Sequence, residues 1–171
     1  RISGALIPGG DVTDFSWAPD SSLVAYIADQ EIDNVFELFA SGPQGIINEK
    51  ISANLVLGGD VFIFQWEPKS NLIVYNSDGV TNNVVELFTT TAPPSFLSII
   101  KVSGIMTGSG VEDNFQWAPD SSLIAYLADQ NQVNVIELFT STPNGSGNDR
   151  SSGDLVLGGD VSEFEWEPGS Q

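Results

Sequence analysis

Asp29, Glu31 and Asp33 in the stretch DQEIDN, and Asp78 beside Asn82 and Asn83 in SDGVTNN, place hard oxygen donors at loop spacing. That donor set suits calcium, which draws its ligands from carboxylates, side-chain amides and carbonyls. Neither stretch has the Asp-x-Asp-x-Asp-Gly spacing of a helix-loop-helix calcium loop, and the third copy, DQNQVN, keeps only Asp129. Solvated turns therefore compete with a calcium site as a reading of these acids. Histidine and cysteine are absent from the 171 residues, which excludes Ser-His-Asp triads, imidazole ligands, thiolate nucleophiles and disulfides. Paired carboxylates can still serve a glycosidase, but the acids recur at equivalent places along the chain, which points to structure. We expect no catalytic residue and no cofactor other than calcium.

The charge balance narrows the partners. Five Lys and Arg against 23 Asp and Glu give a formal charge of −18, which repels phosphate backbones and anionic lipid heads. Nucleic acid is excluded as a partner. Apolar runs stay short of the roughly 18 to 20 residues that a membrane span needs, so membrane insertion is not expected either. The lack of cysteine and the acidic surface fit an exported protein, extracellular or at the cell surface, with the periplasm as the alternative.

The acids sit inside a repeat. Trp17, Trp66, Trp117 and Trp166 are spaced 49, 51 and 49 residues apart, each in a Phe-x-Trp-[Ala/Glu]-Pro frame. Glu37, Glu86 and Glu137, each followed by Leu-Phe, keep the 49 and 51 steps. Gly-Gly-Asp closes at Asp11, Asp60 and Asp160, and the remaining junction, Gly108-Ser109-Gly110, is degenerate. A longer period lies over this one: residues 1–71 align with 101–171 without a gap, and 38 of the 71 positions are identical. The first and third repeats read WAPDSSL, whereas the second and fourth read WEPKSN and WEPGSQ, so the duplicated unit is a pair of repeats.

Within the first repeat, VTDFSW, SLVAYIA, NVFELFA and ISANLVL are apolar runs of strand length separated by turn residues. LVAYI and its counterpart LIAYL are apolar on both faces, as a strand buried between two sheets requires. Pro-Asp-Ser-Ser suits a tight hairpin, with Pro presetting φ and Asp or Ser capping the turn. Four antiparallel strands per roughly 50 residues, repeated, define an all-β fold of β-propeller blades. The expected boundaries are a preceding outermost strand in 1–11, blades at 12–60, 61–110 and 111–160, and a following innermost strand in 161–171.

Phe-x-Trp-x-Pro-Asp-Ser, then Leu-x-Ala-Tyr-x-Ala-Asp, then Glu-Leu-Phe, resembles the TolB-type, WD-like (PD40-like) propeller repeat over essentially the whole chain. It departs where Ser21, Ser70 and Ser121 replace the usual turn glycine, and where VYNSDGV replaces AYIADQE in the second repeat. The resemblance implies that Trp17 lies on an innermost strand and that the run before Gly-Gly is outermost. It also brings in propeller hydrolases, whose nucleophile lies in a separate domain not found in these residues.

Arg1, Lys50, Lys101 and Arg150 follow the same 49, 51 and 49 steps, so each is expected to open an outermost strand, guarding its edge or meeting the strand-three Glu. Ser and Thr in TTTAPPSF (89–96) and STPNGSGNDRSSG (141–153) offer glycan acceptors or flexible connectors. The expected function is a non-catalytic scaffold or protein-interaction segment of a larger assembly, with further copies of the chain as one possible partner and a head-to-tail filament as one form. The alternatives are a calcium- or carbohydrate-binding propeller and the accessory propeller of a larger hydrolase.

Overall fold

The computed structural model describes residues 1–69, 71–94 and 97–167. The turn at Ser70, the end of the loop at 95–96, and 168–171 of the last segment lie outside the described residues. Among the described residues twelve strands run β1 (Val12–Trp17), β2 (Val24–Ala28), β3 (Glu37–Ser41), β4 (Asn48–Lys50), β5 (Val61–Trp66), β6 (Leu72–Thr81), β7 (Val84–Thr91), β8 (Ile99–Lys101), β9 (Val111–Trp117), β10 (Ile124–Ala128), β11 (Glu137–Ser141) and β12 (Asn148–Arg150). They form three four-stranded sheets, each antiparallel and in simple sequential order.

Each sheet is built the same way. Its first strand carries an irregularity near the start, between Val12 and Asp14 in β1 and between Val61 and Ile63 in β5, which bends the strand where it enters the sheet. The second strand is wholly buried in blades 1 and 3, as an apolar run without alternation demands. Tyr26, Tyr75 and Tyr126 stand opposite Phe39, Phe88 and Phe139 and stack on them at 5.5, 5.4 and 5.6 Å between ring centres. Such a pair contributes about 0.5–1.5 kcal/mol beyond the area it buries.

One core lies between blades 1 and 2, around Ile27, Leu38, Phe64 and Tyr75, and a second between blades 2 and 3, around Leu87, Phe115, Trp117 and Tyr126. A smaller one packs Ile2 and Leu6 against Val24, Tyr26 and Phe39 of blade 1.

The fourth strand differs from expectation. It is Asn48–Lys50 rather than the apolar run ISANLVL, and Lys50, Lys101 and Arg150 end the outermost strands instead of opening them. Just past each cation the ladder stops, because two successive N–H groups converge on one carbonyl. Ile51 and Ser52 both donate to Leu38 O, Val102 and Ser103 to Leu87 O, and Ser151 and Ser152 to Leu138 O. The apolar residues that follow, Ile51 and Leu55 among them, pack inward from irregular chain.

Residues 1–11 and 161–167 likewise form no strand. A strand is defined by its ladder partner, and neither segment has one among the described residues.

Candidate interaction surface

The acids first considered for calcium are not gathered in one place. Asp29 accepts from the backbone N–H of Asp11 at 2.5 Å and of Asn34 at 3.0 Å. Asp78 repeats this with Asp60 N at 2.7 Å and Asn83 N at 2.8 Å. Asp129 does so with Gly110 N at 2.7 Å, Ser109 N at 2.9 Å and Asn134 N at 3.3 Å. Each carboxylate thus clamps the loop after strand two to the junction before strand one, with both oxygens engaged. Asn34, Asn83 and Asn134 hold the left-handed turn at φ 59°, 65° and 58°, which Asn tolerates.

Glu31 instead pairs with Lys50 at 3.1 Å, and Asp33 is exposed at the loop tip. Among the described residues no three metal-ligating side chains converge. The backbone N–H groups of Asp11 and Asn34 hold the Asp29 carboxyl below the usual carboxylate range. For Asp129 burial works the other way, but the N–H groups of Gly110, Ser109 and Asn134 outweigh it and the carboxyl is again lowered. The degenerate junction at Gly110 has its own cause. Its φ of 111°, and a main chain so close that a Cβ would lie 1.9 Å from Val85 O, leave room only for glycine there.

The strand-three glutamates meet the registered cations. Lys50 Nζ reaches Glu37 Oε1 at 2.9 Å, Lys101 pairs with Glu86, and Arg150 lies 2.7 Å from Glu137 and 2.6 Å from Asp154. The cation sits opposite the Phe two residues beyond the Glu, so the pair spans the diagonal of the ladder. Burial works to lower the Lys50 pKa, but Glu37 and Glu31 outweigh it and raise the pKa above its ordinary value.

Three further contacts join one blade to the next. Indole Nε1–H of Trp66 donates to Ser16 O at 3.1 Å, that of Trp117 to Gln65 O at 3.4 Å, and that of Trp166 to Gln116 O at 3.3 Å. Every acceptor is the residue before the tryptophan of the preceding blade. Tyr26, Tyr75 and Tyr126 hydroxyls accept from Gly4, Ala53 and Gly104 N–H at 3.1, 3.3 and 3.4 Å, and burial pushes Tyr75 and Tyr126 up to about 12. Ser41 Oγ donates to Ile2 O and Thr90 Oγ1 to Ile51 O, both at 2.7 Å. The recurrence of Trp and Tyr at 49 and 51 residues signals such contacts, but their backbone partners carry no side-chain signature.

The Ser/Thr stretches are less open than expected. Thr89 and Thr90 belong to β7 and are buried, with Thr89 donating to Pro143 O at 2.8 Å, and Ser141 is buried in β11. Thr89, Thr90 and Ser141 are thus closed to a glycan, whereas Ser146 and Ser151 stay exposed.

Among the described residues, the leading face of blade 1 is open. Phe15 is 67% exposed there, against 5% for Phe64 and 1% for Phe115, and Trp17 is 44% exposed against 7% for Trp117. Ile2, Val12, Phe15, Trp17, Val24 and Tyr26 line an apolar groove of about 160 Å³. A larger cleft of about 460 Å³ lies between the strand-one turns of blades 1 and 2, with Asp20, Lys69 and prolines on its walls.

Four-stranded antiparallel sheets, stacked face to face by contacts repeated from one to the next, define the class: the chain has a β-propeller fold. Among solved structures it is similar to a protein from Agrobacterium tumefaciens that carries the provisional name TolB, with 14% identity, a TM-score of 0.59, and coverage of 84% of this chain and 47% of that one. It is also similar to an oligogalacturonate lyase solved in complex with manganese, with 14% identity, a TM-score of 0.52, and coverage of 83% of this chain and 37% of that one. The likeness shows the fold, a propeller like that of the TolB protein, and the chain spans less than half the length of either structure. No protein-family model matches the chain, and no curated protein matches it in sequence. No helix among the described residues is long and apolar enough to cross a membrane.

Proposed function

We propose that this chain is a non-catalytic propeller segment acting as a rigid scaffold and protein-binding module in a larger extracellular or cell-surface assembly. The observation that carries this reading is how the recurring polar residues are used. The tryptophans of blades 2 and 3, the tyrosines, the strand-three glutamates and the strand-two aspartates all bond within or between blades, while a broad apolar face stays open on blade 1. Side chains spent on rigidity suit a scaffold.

Head-to-tail joining of copies into a filament is one form of such an assembly.

The experiment incubates the chain with polygalacturonate, with and without manganese, and with peptide and glycan substrates. Absence of turnover, together with strong amide-exchange protection across β2, β3, β6, β7, β10 and β11, is the expected outcome. Turnover of any substrate, abolished by replacing an acid lining a cleft, overturns the reading.

A further inference from the structure

Asp78-Gly79 and Asn144-Gly145 each set a side-chain carbonyl carbon before a glycine, the residue that shields its own main-chain N–H least, and Asn76-Ser77 is a slower relative. In all three the N–H of the second residue can close a five-membered ring on the side chain of the first. The fold treats them differently. Asp78 is buried, with one oxygen accepting from Asp60 N at 2.7 Å and the other from Asn83 N at 2.8 Å. Asn76 is buried too, its Oδ1 accepting from Ile63 N at 2.9 Å and its Nδ2 donating to Asp113 at 3.1 Å. Neither side chain is free to turn onto its own main chain. Asn144 is exposed at the tip of the β11–β12 hairpin, and its Nδ2 has no hydrogen-bond partner among the described residues.

We propose that Asn144-Gly145 is a self-modifying site, converting without an enzyme to aspartate and isoaspartate, and that it forms a chemical clock set into the joint between blades 2 and 3.

The hairpin prepares the asparagine for this step. Its Oδ1 accepts from Ser146 N at 3.0 Å and from the Thr142 hydroxyl at 2.8 Å. Two donors on one carbonyl oxygen draw charge from Cγ and already stand where the oxyanion develops when Cγ is attacked. Gly145 N leaves its 2.9 Å bond to Thr142 O, gives its proton to hydroxide and bonds to Cγ. The Cγ–Nδ2 bond then breaks, and Nδ2 departs as ammonia with a proton taken from water. The resulting succinimide takes up one water at either carbonyl and opens to aspartate or isoaspartate. The balance is amide plus water to acid plus ammonia, with no oxidant or reductant.

The two products act differently on the fold. Aspartate leaves the main chain as it was, and its carboxylate still accepts from Ser146 and Thr142. Isoaspartate routes the main chain through Cβ, adding one atom between Pro143 and Gly145. Both neighbours are held against blade 2. Pro143 O accepts from Thr89 Oγ1 at 2.8 Å, and Gly145, at φ 69°, sits so close that a Cβ there would lie 2.7 Å from Lys101 O. The added atom disrupts this outer part of the joint.

The first copy lacks the device. Residues 42–47 read Gly-Pro-Gln-Gly-Ile-Ile where 142–147 read Thr-Pro-Asn-Gly-Ser-Gly, on the same turn, with Gly45 at φ 69° and its N–H on Gly42 O at 2.8 Å. Gln44 would have to close a less favourable six-membered ring, and no hydroxyl stands at position 42.

The test incubates the chain at mildly alkaline pH, folded and in urea, and follows conversion by mass spectrometry of its peptides, with isoaspartate identified by enzymatic methylation. In the folded chain Asn144 converts within about tenfold of its rate in urea, because opening the turn costs one main-chain hydrogen bond at the surface. Asn76 and Asp78 convert only in urea. Thr142→Val slows Asn144 roughly two- to tenfold in the folded chain and leaves its rate in urea unchanged, the effect of one hydrogen bond to the developing oxyanion. Asn144→Gln, the residue of the first copy, abolishes conversion. The separated isoaspartate form unfolds at lower urea than fresh protein and exchanges the Thr142 amide faster, whereas Asn144→Asp matches fresh protein. Conversion of Asn144 in urea alone overturns the inference, and so does an equal rate in folded Thr142→Val. An isoaspartate form as stable and as protected as fresh protein overturns the clock.

Discussion

Replacing Asp129 with alanine removes the acceptor from three backbone N–H groups at once: Gly110 at 2.7 Å, Ser109 at 2.9 Å and Asn134 at 3.3 Å. The Gly110 bond is buried and the other two partly so. A buried donor left without a partner costs roughly 1–3 kcal/mol and a partly wetted one less, so Asp129→Ala is expected to lose about 3–5 kcal/mol. Asp129→Asn keeps the shape and one acceptor oxygen, but turns an N–H toward the loop amides, and should lose about half as much. The sign of the pH effect follows from the lowered carboxyl. A group whose folded pKa is depressed stabilises the fold above its ordinary value near 3.9 and gives up that contribution as pH falls through the lower folded value. The gap between wild type and Asp129→Asn should therefore be full at pH 7 and narrow as acid is added below pH 4. Urea unfolding followed by tryptophan emission and far-ultraviolet circular dichroism from pH 7 to pH 3 measures both quantities. A loss under about 1 kcal/mol for Asp129→Ala, or a gap that does not change with pH, refutes the argument that this carboxylate clamps the junction.

Lys101→Met leaves the Glu86 carboxylate buried without its cation and is expected to cost about 2–3 kcal/mol, most of it recovered in Lys101→Met/Glu86→Gln; equal losses in urea melts would rule out the ion pair as the cause. Trp117→Phe should cost about 1.5–3 kcal/mol through lost area and the bond to Gln65 O, and Trp17→Phe under about 0.5 kcal/mol, because blade 1 leaves that ring open; similar values from denaturant unfolding would contradict the assigned exposures. Millimolar calcium should raise the thermal midpoint no more than magnesium does, because the Asp29 and Asp78 oxygens are engaged by main-chain N–H groups; a saturable, calcium-specific rise would reopen the metal reading.

The second strands of blades 1 and 3 were legible in the sequence because their apolar runs, VAYIA and IAYLA, match burial on two faces. The register of Lys50 and Glu37 was legible for a related reason: opposite charges at a constant interval across two strands meet on one ladder diagonal. The fourth strand was misplaced. Asn48, Glu49 and Lys50 are polar because they stand on an edge, while the apolar residues after them are buried without a ladder. Asp29 and Asp78 are ambiguous in the sequence for another reason, since a carboxylate that binds main-chain N–H groups has the same residue type and loop context as one that binds an ion. The threonines at 89 and 90 looked like a linker, because hydroxyls that bond a neighbouring blade's carbonyls do not differ in sequence from hydroxyls in water.

The indole contacts between blades join a side chain to main chain, and this shapes how such an array can grow. The residue whose carbonyl receives the indole is Ser16 in one blade, Gln65 in the next and Gln116 in the third, and the bond forms in each case. A socket made of backbone does not depend on the residue that carries it, so that position is free to drift while the tryptophan is held. Whole repeats can then be copied, lost or exchanged without a matching change in the neighbour. A duplication that cut through a blade would separate plug from socket, whereas duplication in pairs of repeats, the period seen in this chain, leaves every joint whole.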